Sequence, residues 1–300
     1  MSIGPYRLQV QSVLYGNSLP HVARSVHALA RAIGLAKAQG ILSTAHLRMG
    51  DCSTTPVFTG ESLETLRSNN ISLDSIESQF FNGNLGSAAG QNRLLDDLDG
   101  DFVLILNPDT VVAPDCIIQL FAPFVEQQAV GLVEARQLPF EHPKQYDSST
   151  GETSWASTAC ALVPASVIAE VGGFDSDTFF LYCDDVDWSW RIRLAGYRII
   201  LRDSARIFHD KRLDKDGAWV VSSAEEFYSA EAALLMAHKW GRPDLVKRIE
   251  ADLSDGGSET QRKGLASFQE RRKSGRLPEP IPDASRVATF VRGAYAPHRY

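Results

Sequence analysis

Between Gly172 and Arg191 the chain carries five carboxylates, Asp175, Asp177, Asp184, Asp185 and Asp187, interleaved with Phe174, Phe179, Phe180, Tyr182, Trp188 and Trp190. Acidic groups this close repel one another, so the cluster is costly unless a cation, a proton-transfer task or a helix N-terminus receives them. Val186, Trp190 and Leu194 recur four residues apart, which predicts a helix beginning near Asp184 and Asp185. One carboxylate at that point can cap free amides and oppose the helix dipole; the adjacent pair leaves a second to act as a general base. Asp187 lies one turn before Arg191, and an ion pair between them is a sufficient structural account of it.

Three further segments carry chemistry. Asn107-Pro108-Asp109-Thr110 follows the apolar run Phe102 to Leu106 and offers oxygen ligands to a hard divalent cation, which in turn can hold a diphosphate. The same residues also make an ordinary turn. Asn84-Leu85-Gly86-Ser87-Ala88-Ala89-Gly90-Gln91-Asn92 is a small-residue loop ahead of Leu94, Leu95 and Leu98. It reads either as a place where a ligand meets the backbone and helix amides, or as a tight strand-to-helix turn. Neither loop has the GxxxxGKS or GxGxxG spacing, so a P-loop or dinucleotide fold lacks support. His209 follows two apolar runs and is either a core histidine or a metal ligand.

The elements that must position these groups alternate. Leu8 to Leu14 reads as a strand, the turn Tyr15-Gly16-Asn17-Ser18 follows, and Val22, Val26, Leu29 and Ile33 mark a helix. Ile41 to Leu47 and Ile76 to Phe81 predict two more strands, Phe102 to Leu106 a central one, and Gly131 to Val133 and Cys160 to Val163 short ones. Such a series implies an α/β fold with a mostly parallel sheet flanked by helices, in which ligands sit at the carboxyl ends of strands. Glu141 to Glu152 reads as an exposed loop. Beyond about Lys215 the texture changes: Glu225 to Trp240 predicts a helix, Asp255 to Ser258 a break, and Arg271 to Pro282 is basic and proline-rich. The expected division is residues 1–215 and a helical region over 216–300.

With 300 residues, 44% of them hydrophobic, the chain can bury a large core. A formal net charge of -7 argues against a nucleic-acid surface. No basic segment precedes a long apolar run, so neither a signal peptide nor a spanning helix is expected and the cytoplasm is the expected compartment. The cysteines at 52, 116, 160 and 183 show no CxxC spacing and are expected to be buried free thiols.

Taken in order, these motifs resemble the family 2 glycosyltransferases of the GT-A fold, nucleotide-sugar enzymes, especially the rhamnosyltransferase-like branch that builds bacterial polysaccharides. The likeness runs from Leu8 to about Asp210. The family's nucleotide-contacting Asp falls on Asp51, its NxGxxxGxN loop on Asn84 to Asn92, its metal-associated motif on Asn107 to Thr110, its GGFDxxFFxYxEDxDxxxR signature on Gly172 to Arg191, and its later histidine on His209. The resemblance implies Asp185 as catalytic base with Asp184 beside it, and Asp109 and His209 as ligands of Mn2+ or Mg2+. It implies donor contacts from Tyr15, Asn17, Asp51, Asn84, Gly86, Gly90, Asn92 and Asn107, and acceptor contacts from Trp155 and Trp188. Asn107 stands where the family has the first acid of a DxD, Asp184 where it has Glu, and Trp155 to Ala159 where it has a glycine-containing acceptor loop. The implied reaction is inverting transfer from a nucleoside-diphosphate sugar, with dTDP-rhamnose or a UDP-sugar as leading donors, to a glycan or lipid-linked glycan. Arg271 to Arg276 then touches an anionic membrane surface or a partner, or is a solvated tail. The alternative is a nucleotide-sugar binding or scaffold protein that has kept the fold and lost activity.

Overall fold

A computed structural model describes residues 4–209 and 220–294. In chain order the elements are β1 (Tyr6–Leu14), α1 (Leu19–Ala38), β2 (Leu42–Asp51), α2 (Gly60–Ser68), β3 (Ser75–Phe80), α3 (Gly86–Leu95), β4 (Phe102–Leu106), β5 (Thr110–Val112), α4 (Cys116–Glu126), β6 (Val130–Leu138), β7 (Glu152–Thr153), β8 (Cys160–Pro164), α5 (Ala165–Val171), α6 (Asp184–Leu194), β9 (Arg198–His209), α7 (Ser223–Lys239), α8 (Pro243–Gly256) and α9 (Glu259–Lys273). The expected boundary near residue 215 lies outside the described residues.

The strands form one sheet in the order β3-β2-β1-β4-β8-β6-β9-β5, with β7 paired to β9. Its first half, β3-β2-β1-β4, is parallel as the alternating pattern implies. Beyond β4 the sheet is mixed: β8 runs antiparallel to β4 and β6, while β6 and β9 are parallel and β5 and β7 are antiparallel to β9. The mostly parallel expectation therefore holds for one half only. β5 and β7 are too short to show a strand period, and β8 arrives after a loop instead of a crossover helix, which frees it to run the other way.

Both β4 and β8 are buried along their whole length, as continuous apolar runs require. A large core packs α1 and α4 on one face, around Leu29, Ile33, Leu104 and Phe121. A second cluster joins Trp155, Phe179, Val186 and Trp190 to Leu235, Trp240, Leu265 and Phe268, so α7, α8 and α9 are packed onto the α6 region. All four cysteines are buried thiols outside any disulfide, as expected. Arg271 and Arg272 belong to the last turn of α9; Arg271 pairs with Glu231 at 3.1 Å and bonds the Thr178 carbonyl, and Arg272 pairs with Glu250 at 3.0 Å. The tail reading of these two arginines is thus corrected: they tie the C-terminal helices together and to the loop before α6. Among the described residues no helix is long and apolar enough to cross a membrane.

The strongest tie between the two regions is Asp187. Its carboxylate is fully buried and accepts from Arg191 Nε at 2.8 Å and Trp240 Nε1 at 3.0 Å, with Lys239 Nζ at 2.7 Å. Lys239 also reaches Asp175 at 2.6 Å. The structural expectation for Asp187 holds, with two partners from α7 that its local spacing does not reveal. Asp187→Ala would take one partner each from Arg191, Lys239 and Trp240, and is expected to cost about 3 kcal/mol in urea unfolding; a loss under about 1 kcal/mol would show that the network is not what joins the helices.

Candidate active site

A cleft of about 710 Å³ opens at the carboxyl ends of β1, β2 and β4, where ligands gather in open α/β sheets. Its walls include Tyr15, Asn17, Asn84, Gly86, Asn107, Asp109 and His209, all predicted from the sequence. Tyr15 is 57% exposed, which leaves its ring face open for stacking. Asn17 Oδ1 accepts from the Tyr15 amide at 2.9 Å and closes the turn that presents that ring. Gly86 begins α3 with φ of +74°, and a β-carbon there would collide with the Phe180 carbonyl. That close approach lets the Ser87 amide bond the same carbonyl at 3.0 Å and locks the loop before α3 against the loop before α6.

The register of β5 and β9 pairs Thr110 with His209, which brings Asp109 beside the imidazole. His209 Nε2 stands 3.3 Å from Asp109 Oδ1, and His209 Nδ1 lies 2.9 Å from Gln137 Oε1. An amide oxygen only accepts, so Nδ1 is the donor of that contact and Nε2 is the ring atom that faces the carboxylate. A proton or a divalent cation between those two atoms satisfies the arrangement. Among the described residues no group of three or more His, Cys, Asp or Glu converges as a cage. The donor set fits an ion held by one carboxylate and one imidazole that keeps its other positions for phosphate oxygens and water, and the imidazole favours Mn2+ over Mg2+.

The acidic pair does not itself line this cleft but adjoins its wall. Phe180, Leu181 and Tyr182 line it and lead directly into α6, and Ser87, also in its wall, hydrogen-bonds Asp184. The turn into α6 takes two left-handed residues, Tyr182 at φ of 67° and Cys183 at φ of 59°, each a strain of about 1 kcal/mol or more. Neither Asp184 nor Asp185 is the cap: Cys183 occupies that position without capping the helix through its side chain, and Asp184, Asp185 and Asp187 all lie in the first turn. Burial pushes Asp184 above the ordinary carboxylate range, against the Ser87 hydrogen bond. Asp185 is also pushed up, first by burial and then by repulsion from Asp184, while its Oδ1 accepts from the Val186 amide at 2.8 Å. Asp184 Oδ2 is buried without a partner. A carboxylate with raised proton affinity beside a cleft is suited to taking a proton near neutral pH.

Besides Asp184 and Asp185, five predicted residues do not line the cleft. Asp51 is 1% exposed, and its oxygens accept from the Ser53 and Val57 amides at 3.0 and 2.7 Å, shaping the loop after β2. Gly90 and Asn92 lie inside α3; Gly90 lets the helix approach Val13, and Asn92 exchanges two 2.8 Å hydrogen bonds with the Phe174 backbone, pinning the Gly172–Asp175 loop. Trp188 is fully buried with Nε1 on the Gly172 carbonyl at 2.9 Å, so it is core and not an acceptor platform. Trp155, 2% exposed, packs beneath α6 and borders a separate cavity of about 500 Å³. In each case the residue sits near a motif but satisfies backbone or core first.

Sequence reasoning also missed residues. Ser222, Glu225 and Tyr228 at the start of α7 complete the cleft, and Tyr228 stacks on Phe180 with ring centroids 4.9 Å apart. Ser222 caps that helix by accepting from the Glu225 amide at 3.1 Å, a signal readable in the sequence, but its place over the cleft is set by tertiary packing. Lys144, in the loop expected to be exposed, is buried at 1% against Glu134.

Set beside known proteins, this architecture is that of the GT-A glycosyltransferases. Solved structures that share it include a mannosyltransferase from Pyrobaculum calidifontis in complex with GDP-Man and Mn2+ (TM-score 0.58, 15% identity, 95% of this chain and 80% of that one). GalNAc-T7 with UDP, GalNAc and Mn2+ gives a TM-score of 0.56 at 11% identity, over 93% of this chain and 60% of that one. No family model matches the chain. In sequence it resembles the rhamnosyltransferase-like branch of family 2: it is 35% identical over 68 residues to the N-acetylglucosaminyl-diphospho-decaprenol L-rhamnosyltransferase of Mycobacterium tuberculosis, covering 23% of this chain and 22% of that protein. It is 25% identical over 131 residues to the rhamnosyltransferase WbbL of Escherichia coli K12, covering 34% of this chain and 49% of that protein. The match thus spans less than half the length of each of these relatives.

The raised proton affinity of the pair has a sign that can be checked. A carboxyl that holds its proton more tightly folded than unfolded loses stability as pH rises above the ordinary aspartate range. Asp185→Asn removes that loss and keeps the Oδ1 acceptor, so the variant should be more stable than the wild type by about 1 kcal/mol at about pH 8, with the advantage vanishing near pH 4. Urea unfolding at both pH values checks this, and a variant that is less stable at the higher pH would contradict it.

Proposed function

We propose that the protein transfers a sugar from a nucleoside diphosphate to a hydroxyl of a glycan or lipid-linked glycan, with inversion at the anomeric carbon. The observation that carries this reading is one cleft that joins the Asp109 and His209 pair to the loop leading into Asp184 and Asp185. Tyr15 and Asn17 hold the nucleoside, and the small residues at Gly86 and Ser87, opening α3 in the cleft wall, leave room for the diphosphate. A bound divalent cation on Asp109 and His209 would offset negative charge on the leaving diphosphate. Asp185 takes the acceptor proton as that oxygen attacks, and Asp184, behind it, stabilises developing positive charge on the sugar.

Residues 1–215 are read as the catalytic domain and 216–300 as a helical extension whose α7 closes the cleft. The relatives bear on the substrates: the mycobacterial one is named for a GlcNAc-diphospho-decaprenol acceptor and a rhamnosyl donor, and Staphylococcus aureus TarS 1-349, with TM-score 0.51 and 16% identity, was solved with UDP-GlcNAc. A dTDP-rhamnose or UDP-sugar donor and a lipid-linked acceptor are therefore the first to test, with the enzyme working from the cytoplasm at the inner membrane face.

Nucleoside diphosphate release from a panel of donors, with and without acceptors, tests the reading. Asp185→Asn should cut turnover by about two to four orders of magnitude while donor affinity holds; a variant keeping more than about a tenth of wild-type turnover would place the base elsewhere. By calorimetry, nucleoside diphosphate should bind more tightly with Mn2+ than in chelator, and Asp109→Ala should remove most of that gain. Equal wild-type affinity in both conditions would remove the metal from the account.

A further inference from the structure

Gln137, near the end of β6, is 1% exposed, and the amide oxygen of its side chain lies 2.9 Å from His209 Nδ1. Strand pairing sets that contact. Gln137 stands opposite Ile207 of β9, and His209, two residues further along that strand, projects from the same face as Ile207. The end of β6 is held in turn by Glu141, whose carboxylate accepts from the Gln137 backbone amide at 2.8 Å and from the His142 amide at 2.7 Å. On the far side of the ring, Nε2 stands 3.3 Å from Asp109 Oδ1. One imidazole is thus gripped at Nδ1 from within the sheet and faces a carboxylate at Nε2. A buried glutamine is costly unless both ends of its amide are used, and among the described residues Nε2 of Gln137 has no hydrogen-bond partner. An apolar side chain would avoid that cost, so the stability of the sheet does not account for the amide.

We infer that Gln137 is a positioning residue for the cation site: by accepting the hydrogen of His209 Nδ1, it reserves Nε2 as the ligating atom beside Asp109. The inference rests on the sugar-transfer reading for the presence of a divalent cation there. A neutral imidazole carries one hydrogen, on either nitrogen. On Nε2 it would point at Asp109 Oδ1 and close the pair on itself, leaving no lone pair for a cation at that place. On Nδ1, held by an oxygen that only accepts, it leaves the Nε2 lone pair on the side where Asp109 supplies a carboxylate. Gln137 is not in the cleft wall, so it acts through the histidine. Histidine ligands are commonly oriented by an acceptor on the opposite ring nitrogen, and removing such an acceptor lowers metal affinity by about ten- to a hundredfold. Among the described residues no third His, Cys, Asp or Glu joins Asp109 and His209, so the orientation of this one ring governs half of the protein's donors.

Two readouts on the full chain test this. In protein labelled with nitrogen-15 histidine, long-range proton–nitrogen NMR at about pH 8.5, where an ordinary imidazole is neutral, shows which nitrogen of His209 carries the hydrogen; the resonance is assigned by its loss in His209→Gln. Mn2+ alone, titrated through the loss of its free electron-spin-resonance signal, gives the affinity. The wild type should carry the hydrogen on Nδ1. Gln137→Leu should move it to Nε2 and weaken Mn2+ binding by about ten- to a hundredfold. Gln137→Glu keeps an acceptor oxygen at the same reach and should hold both readouts near the wild type, whereas a merely structural role predicts that the two substitutions lose alike. Where Gln137→Leu does not fold, Gln137→Asn, whose amide ends one methylene short of Nδ1, carries the same expectation. Hydrogen on Nε2 in the wild type, a tautomer or Mn2+ affinity that Gln137→Leu leaves unchanged, or a Gln137→Glu variant that loses as much as Gln137→Leu overturns the inference. A wild type that takes up no Mn2+ overturns it together with the cation of the sugar-transfer reading. Readouts that respond as stated in a protein that consumes no donor uphold the inference and overturn the sugar-transfer reading instead.

Discussion

The fully buried carboxylate of Asp187 is the constraint on which the rest of the structure depends. A charge at that depth is tolerable only with partners, and it takes them from its own helix through Arg191 and from α7 through Lys239 and Trp240. Meeting that demand fixes α7 against α6, and with it the position of Ser222, Glu225 and Tyr228 over the cleft. The same anchor holds the first turn of α6 in place, and with it the two carboxylates just before Asp187. The left-handed backbone at Tyr182 and Cys183 is the local cost of that placement.

The site divides along the change in sheet character. The parallel half delivers Tyr15, Asn17 and Asn107 from the loops that follow its strand ends. The mixed half brings Asp109 to His209 through the β5 and β9 register and, behind the cleft wall, stacks Glu134, Lys144 and Trp155 beneath the start of α6. The acidic pair at the start of α6 is the part of this arrangement where burial raises proton affinity.

Much of this was legible in the sequence because it is local. The β1 alternation, the α1 spacing and the apolar run of β4 each state their own burial, and Asn107 to Asp109 followed a strand as a cleft loop should. The acidic cluster announced itself by its cost. What the sequence hid is long-range. The side chains of Asp51, Asn92 and Trp188 carry types suited to ligands, yet each is consumed by backbone groups that come near only in the fold. Lys144 sits in a polar, proline-containing stretch that reads as exposed, and only the central position of Glu134 in the sheet draws it inside. The antiparallel turn of β8 likewise has no periodic signature in five residues.

The measurement that bears most directly on the central claim is the anomeric configuration of the freshly formed product, read by proton NMR before any equilibration. A single base beside the cleft, with the acceptor or water attacking directly, predicts an inverted centre, so an α-linked donor gives a β product and a β-linked donor an α product. Retained configuration would require a covalent or front-face route that Asp185 as a general base does not provide, and would contradict the account.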